Sequence, residues 1–188
     1  MVRSLIHAVI AVLLVASARG ELRLTPSVVQ YELDGVKLKQ LAFPDGEKQV
    51  TYQSPRGWDY SGSADRLTLR PPNKPQAEAV IYKVSLQQPG SFDDATVKRL
   101  VDETIASLPK SSTNIQMVSQ EKNPLLIQRK ETFLITFTYN LYGVNYSRSI
   151  LFLNRGNEQI RFQLVCREAD FKELQKAFMG SHYSWQNL

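Results

Sequence analysis

The chain has 188 residues, of which 43% are hydrophobic and 22% charged, with a formal charge of +5. A domain of this size buries about 70% of its extended surface, so one core can hold it without covalent staples. One cysteine and two histidines exclude an intramolecular disulfide framework and a Cys/His zinc site.

Residues 1–18 read as an export signal. Arg3 supplies the positive charge, Leu5 to Val15 form an almost unbroken apolar run, and Ala16-Ser17-Ala18 sets small residues where a signal peptidase reads them. Cleavage is expected after Ala18, with Gly20 as a second end, leaving one globular domain over residues 19–188. A retained anchor fits less well. At about 1.5 Å per residue, Leu5 to Ala18 covers roughly 21 Å of a bilayer core about 30 Å thick. No cysteine stands at the cleavage point to take a lipid, and no later run approaches about 18 apolar residues. The expected location is therefore extracytoplasmic, secreted or periplasmic, with no transmembrane anchor after processing. Loss of Arg3 and Arg19 with the signal also makes the basic excess milder. The remaining cations are scattered, with no arginine-rich run or aromatic–glycine motif, which argues against a nucleic-acid partner.

Past the signal, Ser27 to Leu33 and Val36 to Phe43 flank Asp34-Gly35, a two-residue loop that favours a tight hairpin because both positions accept positive φ. Pro44-Asp45-Gly46 ends that unit, and Gln49 to Gln53 resumes a strand with Val50 and Tyr52 on one face. Pro55, in Ser54-Pro55-Arg56-Gly57-Trp58, cannot donate to a ladder and breaks the strand. Arg66 to Arg70 reads as a short strand, Pro71 to Pro75 as a loop, and Ala79 to Leu86 as a strand by its alternation. The period then lengthens. Val97, Leu100, Val101, Ile105 and Leu108 make one helical stripe, capped by Ser91, started by Asp93 and Asp94, and ended by Pro109. Ile115 to Ser119 and Thr132 to Tyr142 read as strands. Tyr146 to Leu153 and Gln159 to Cys166 return through turns at Gly143 and Gly156 as an antiparallel meander. A closing helix from Asp170 to about Met179 buries Phe171, Leu174 and Phe178.

The fold class expected is α+β, a mainly antiparallel sheet of about six or seven strands flanked by helices as an α/β/α sandwich. Four features carry a resemblance to a known family: Phe43-Pro44-Asp45-Gly46, the run from Tyr52 to Trp58, the helix before Pro109, and the hairpin pair followed by Phe171 to Phe178. Over about residues 36–185 the chain resembles the PsbP-like superfamily, which includes a photosystem extrinsic subunit and bacterial envelope proteins. The resemblance implies a protein that binds or scaffolds partners, and it brings no functional residue across.

The catalytic vocabulary of the sequence is thin. His182 alone among residues 19–188 supplies an imidazole, and a surface position at a frayed helix end is its expected setting. No Gly-x-Ser-x-Gly elbow, phosphate loop or calcium loop occurs, so no cofactor or metal is expected. Cys166 closes the alternation Ile160, Phe162, Leu164 and is expected to be a buried thiol. The candidate contact residues are Trp58 at its turn and Tyr139, Tyr142 and Tyr146 around a hairpin tip, where cross-strand packing is the competing role. Asn145-Tyr146-Ser147 matches the N-glycosylation pattern. These readings converge on an exported, non-enzymatic binding or accessory module that meets a protein or small ligand outside the cytoplasm. One alternative is a hydrolase, marked by two acids with shifted pKa values in a deep pocket. The other is an apolar-ligand carrier, marked by a cavity lined by Phe133, Ile135 and Phe137.

Overall fold

A computed structural model of the chain describes residues 21–187. The segment expected to be an export signal, with its expected cleavage residue Ala18, lies outside the described residues. In chain order the elements are β1 (Ser27–Leu33), β2 (Val36–Asp45), β3 (Lys48–Tyr52), β4 (Asp59–Gly62), β5 (Arg66–Arg70), β6 (Glu78–Ser85), α1 (Asp94–Ala106), β7 (Ser112–Lys122), β8 (Thr132–Leu141), β9 (Val144–Arg155), β10 (Glu158–Arg167), α2 (Glu168–Ser181) and β11 (Gln186–Asn187). They build a seven-stranded sheet in the order β4-β5-β6-β10-β9-β8-β7 and a four-stranded sheet in the order β1-β2-β3-β11. Every pairing in both is antiparallel.

The period-two alternation of β8, β9 and β10 decides where the core sits. Phe133, Ile135, Phe137, Ile150 and Phe152 point to one face of the large sheet, where the α1 stripe of Val97, Leu100 and Val101 covers them. Phe133 stacks against Phe152 at 6.1 Å and meets Phe92 at 5.8 Å, so aromatic and aliphatic side chains fill the space proposed for an apolar ligand. The opposite face presents Leu134, Leu151, Leu153, Phe162 and Leu164. There α2 contributes Leu174 and Phe178, and the small sheet contributes Leu41, Phe43, Val50 and Tyr52. Cys166 lies in this second core, fully buried, and desolvation pushes its thiol up to about 12, so it holds its proton at neutral pH.

The α+β class and the antiparallel meander stand as expected, and the Asp34-Gly35 loop has both φ angles positive, 51° and 79°. Several boundaries differ. The first hairpin and β3 leave the main sheet and form their own sheet with β11. Asp93, not Ser91, caps α1: its carboxylate accepts the Thr96 N–H at 2.8 Å and the Ser91 hydroxyl at 2.6 Å, which holds it below the usual carboxylate range. α2 starts at Glu168 and runs on to Ser181.

His182 is a clear correction. Instead of fraying, the chain after α2 enters a 3-10 turn, His182–Ser184, that folds back on β3. The Gln53 amide donates to the Ser184 hydroxyl at 2.8 Å. The imidazole then lies between Phe162 and Phe178, with both centroid distances 4.5 Å, and is 1% exposed. Three residues on, Trp185 packs on Phe43 at 5.8 Å and edge-on to Phe162 at 5.2 Å.

Candidate functional site

Pro55 ends the β3 ladder, and the chain reverses through Arg56-Gly57. Gly57 sits at φ 78°, and the Trp58 amide donates to the Pro55 carbonyl at 3.1 Å. Trp58 lays its indole parallel to Phe178 at 6.1 Å and is 8% exposed. The tryptophan therefore pins the turn to α2, and the surface of the turn passes to Arg56, Gly57 and Tyr60.

Just beyond, two sheet edges meet. β4 is the outer strand of the large sheet and β1 the outer strand of the small one. They are seamed where the Leu24 amide donates to the Ala64 carbonyl at 2.8 Å. A Cβ on Gly62 would come within 2.5 Å of the Pro26 ring and 2.6 Å of the Leu24 carbonyl, so only glycine permits this approach. Two residues farther along each strand, at Tyr60 and Val28, the edges have parted.

A surface cleft of about 570 Å3 lies beside them, bounded by Val28 and Tyr60 of these strands, by β2 at residues 39–41, by the Pro55–Gly57 turn, by the end of α2 at Ala177, Gly180 and Ser181, and by Ser184 of the 3-10 turn. Its volume falls in the range of about 300–1,000 Å3 usual for ligand sites. Val28 and Tyr60 are 51% and 42% exposed, large apolar groups left facing water on either side of one hollow. Lys39 and Arg56 line it, and no carboxylate does. The cleft thus joins apolar side chains such as Val28, Leu41 and Tyr60 to a lining whose charged groups are both cations.

The floor is rigid. Tyr52 and Ser181 hydroxyls bond at 2.7 Å, and burial raises the tyrosine pKa so that it stays neutral. The Ser184 hydroxyl donates to the Ser181 carbonyl at 2.6 Å. These hydroxyls tie α2 to β3, and no imidazole lies among the cleft residues to activate one as a nucleophile.

The tyrosines divide. Tyr139 and Tyr146 are cross-strand partners whose rings stack at 5.8 Å, the packing role weighed against contact. Tyr142, at the hairpin tip with φ 52°, is 84% exposed. Asn145 is exposed beside it, at the start of β9, and accepts from the Asn140 side chain at 2.9 Å, whereas Ser147 of the glycosylation pattern is buried. Trp58 and this hairpin contribute no residues in common to one cavity, since the groove at Asn114, Gln116, Thr138, Tyr139, Asn140, Asn145 and Glu168 is separate from the cleft.

Two buried or half-buried charged groups escaped the sequence reading. Arg148 is 9% exposed and donates to the Gln163 side-chain carbonyl at 3.2 Å and to the Ser107 carbonyl at 3.3 Å. Ser107 is the C-cap of α1, so the cation answers the negative end of the helix while desolvation lowers its pKa. Arg155, half-buried rather than enclosed, pairs with Asp45 and lies 3.9 Å from Glu158, whose pKa burial raises. The acids most relevant to a hydrolase are thus bound to a guanidinium, outside the cleft. Among the described residues, no cluster of three or more His, Cys, Asp or Glu side chains could hold a metal ion, and no helix is long and apolar enough to cross a membrane.

No protein-family model matches the chain, and no curated protein matches it. Among solved structures it is similar to cyanobacterial PsbP from Synechocystis, with a TM-score of 0.54 at 11% identity over 83% of this chain and 97% of that one. A Pseudomonas aeruginosa protein of unknown function gives a TM-score of 0.47 at 15% identity, covering 85% and 96%. A Bacteroides thetaiotaomicron structure gives 0.41 at 12%, covering 68% and 42%. Sheet order, helix placement and the Synechocystis likeness agree on one result: the chain has a PsbP-like fold.

Proposed function

We propose that this chain is an exported, non-enzymatic contact module whose binding surface is the cleft between β1, β4 and the end of α2. The observation that carries the reading is the cleft itself, a hollow of mixed apolar and polar lining with two cations and no acid. A site built for acyl or glycosyl hydrolysis needs a nucleophile with its base, or opposed carboxylates. A contact site needs complementary shape, apolar anchors and charge to steer approach. The cleft has the second set. Export rests on the layout of residues 1–18, where a charged start, an apolar run and Ala16-Ser17-Ala18 follow one another.

Two measurements test it. Intact mass of the protein recovered outside the cytoplasm should lack residues 1–18, and recovery only of the uncleaved chain from the cytoplasm would remove the export half of the reading. A photo-crosslinking residue at Gln53, which lines the cleft, should capture a discrete partner in the native compartment, while one at Lys172 on the outer face of α2 should not. Equal capture from both positions, or none from Gln53, would remove the cleft as the contact surface.

A further inference from the structure

Toward the edge of the large sheet opposite β4, the second groove, of about 260 Å3, is lined by β7, β8, β9 and the first residue of α2. Its lining carries four side-chain amides, Asn114, Gln116, Asn140 and Asn145, with the Thr138 hydroxyl and the Glu168 carboxylate. A bulge in β7 brings one of these amides into place. The ladder steps from Thr113↔Asn140 to Gln116↔Thr138, three residues against two, and Asn114 inside the step takes φ 50°. An even ladder would set the apolar Ile115 opposite Thr138. The extra residue puts Gln116 there instead, so the amide joins the face that carries Thr138. Bulges re-aim side chains in this way beside functional sites. On the next strand Asn145 stands opposite Asn140.

Two of the amides are held in orientation. The Gly143 N–H donates to Asn140 Oδ1 at 2.9 Å, and Asn140 Nδ2 donates to Asn145 Oδ1 at 2.9 Å. Those bonds leave the Asn145 amino group and the second Asn140 N–H for a ligand. Asn114, Gln116 and Glu168 are exposed, so their bonds to water can be exchanged for bonds to a solute. The composition of the lining narrows what that solute is. No lysine or arginine lines the groove, so a phosphate or carboxylate would meet only the like charge of Glu168. One carboxylate among neutral oxygens gives a weak seat for calcium. An apolar ligand would find only Tyr139, whose ring stacks on Tyr146. What fits is a neutral molecule whose closely spaced polar atoms both donate and accept, as side-chain amides do.

We propose that this groove binds a neutral saccharide, one sugar ring held through its hydroxyls by the amides, with the Glu168 carboxylate accepting from them. The volume lies a little below the roughly 300 Å3 at which sites for drug-sized ligands begin, which suits a single ring. The site stands apart from the cleft assigned to a protein contact and shares no residue with it.

The test uses the processed protein, with Asn145 shown unmodified by intact mass, and the methyl glycosides of glucose, galactose, mannose and N-acetylglucosamine. At least one glycoside should shift the side-chain amide NMR signals of Gln116, Asn140 and Asn145 saturably, with a dissociation constant on the order of 1–10 mM. Cyclohexanol, a ring with one hydroxyl, and N-acetylglycine methylamide, a piece of peptide main chain, should leave those signals unmoved. Gln116→Leu and Glu168→Leu should each weaken the glycoside by about fivefold or more, and Glu168→Gln, which keeps an acceptor, by less. Both positions are exposed, so thermal melting should not change. Crosslinking from Gln53 should be the same in wild type and in both leucine variants, which separates this site from the cleft. No saturable shift with any of the four glycosides up to about 100 mM overturns the proposal. So does equal binding of cyclohexanol or the methylamide, or an affinity that Gln116→Leu and Glu168→Leu leave unchanged.

Discussion

Lowering the pH from 7 to 5 should cost the folded protein about 2 kcal/mol through His182 alone, a loss that disappears in a variant without that imidazole. The ring is enclosed by Phe162 and Phe178, and neither nitrogen has a hydrogen-bond partner, so a charged imidazolium would be buried without compensation. Desolvation drives its pKa from the ordinary 6.5 down to about 3. As pH falls through 6.5 the unfolded chain takes up the proton and the folded one does not. The stability due to the neutral ring is complete above that value and is lost progressively until about pH 3, where the folded state protonates too. The slope reaches about 1.4 kcal/mol per pH unit within that window, and between pH 7 and 5 it integrates to about 2 kcal/mol. Urea denaturation of wild type and His182→Phe, each at both pH values, isolates the effect, because any packing cost of the substitution cancels within each protein. Equal losses in the two proteins would refute the argument. So would an imidazole resonance that titrates near 6.5 in the folded state.

Three further outcomes follow from the geometry. Gly62→Ala should destabilise by about 1–3 kcal/mol in urea denaturation, since its Cβ would meet a backbone carbonyl that cannot step aside. Trp58→Ala removes the stack on Phe178 and should cost about 3–5 kcal/mol in the same assay, with hydrogen exchange accelerating at residues 55–58. Asp93→Ala should lower the melting temperature more than Ser91→Ala, because the carboxylate makes the cap and the hydroxyl only braces it. The gap between wild type and Asp93→Ala should narrow as acid protonates the carboxylate, its stabilisation being present above the usual pKa and lost below the depressed one.

Local chemistry made some elements easy to read and left others invisible. Asp34-Gly35 announces its hairpin because few other pairs tolerate two positive φ values, and the α1 stripe announces its helix because Val97, Leu100 and Val101 share one buried face, although Ile105 is exposed and Leu108 lies past the helix end. β4 carries no such mark: Asp59-Tyr60-Ser61-Gly62 is wholly exposed, and it is a strand because β5 offers it a partner. β11 likewise exists only through its pairing with β3. A tight Gln128-Arg129 turn, with φ values of 53° and 62°, has neither glycine nor asparagine to signal it, and its bridge from Ile127 to Lys130 is a tertiary choice. The same holds for His182 and the cleft. A histidine four residues past the last apolar residue of a helical stripe looks solvated until the 3-10 turn returns it to Phe162. Trp58 stands beside the proposed contact cleft, but the surface there belongs to neighbours drawn from β1, β2, β4 and α2, which no single stretch of sequence brings together.

The burial of Trp185 bears on when this domain can assemble during its own synthesis. Its indole touches Phe43 and Tyr52 of the small sheet and Phe162 of the large one, while Gln53 and Ser184 bond across 131 positions of chain. Until residue 185 has left the ribosome, the small sheet has no lid over its inner face and the large sheet has a hole where the ring belongs. Closure of so long a loop comes late and slowly. The two sheets therefore reach their final packing only once strands as far apart as residue 43 and residue 162 can both meet the indole of residue 185.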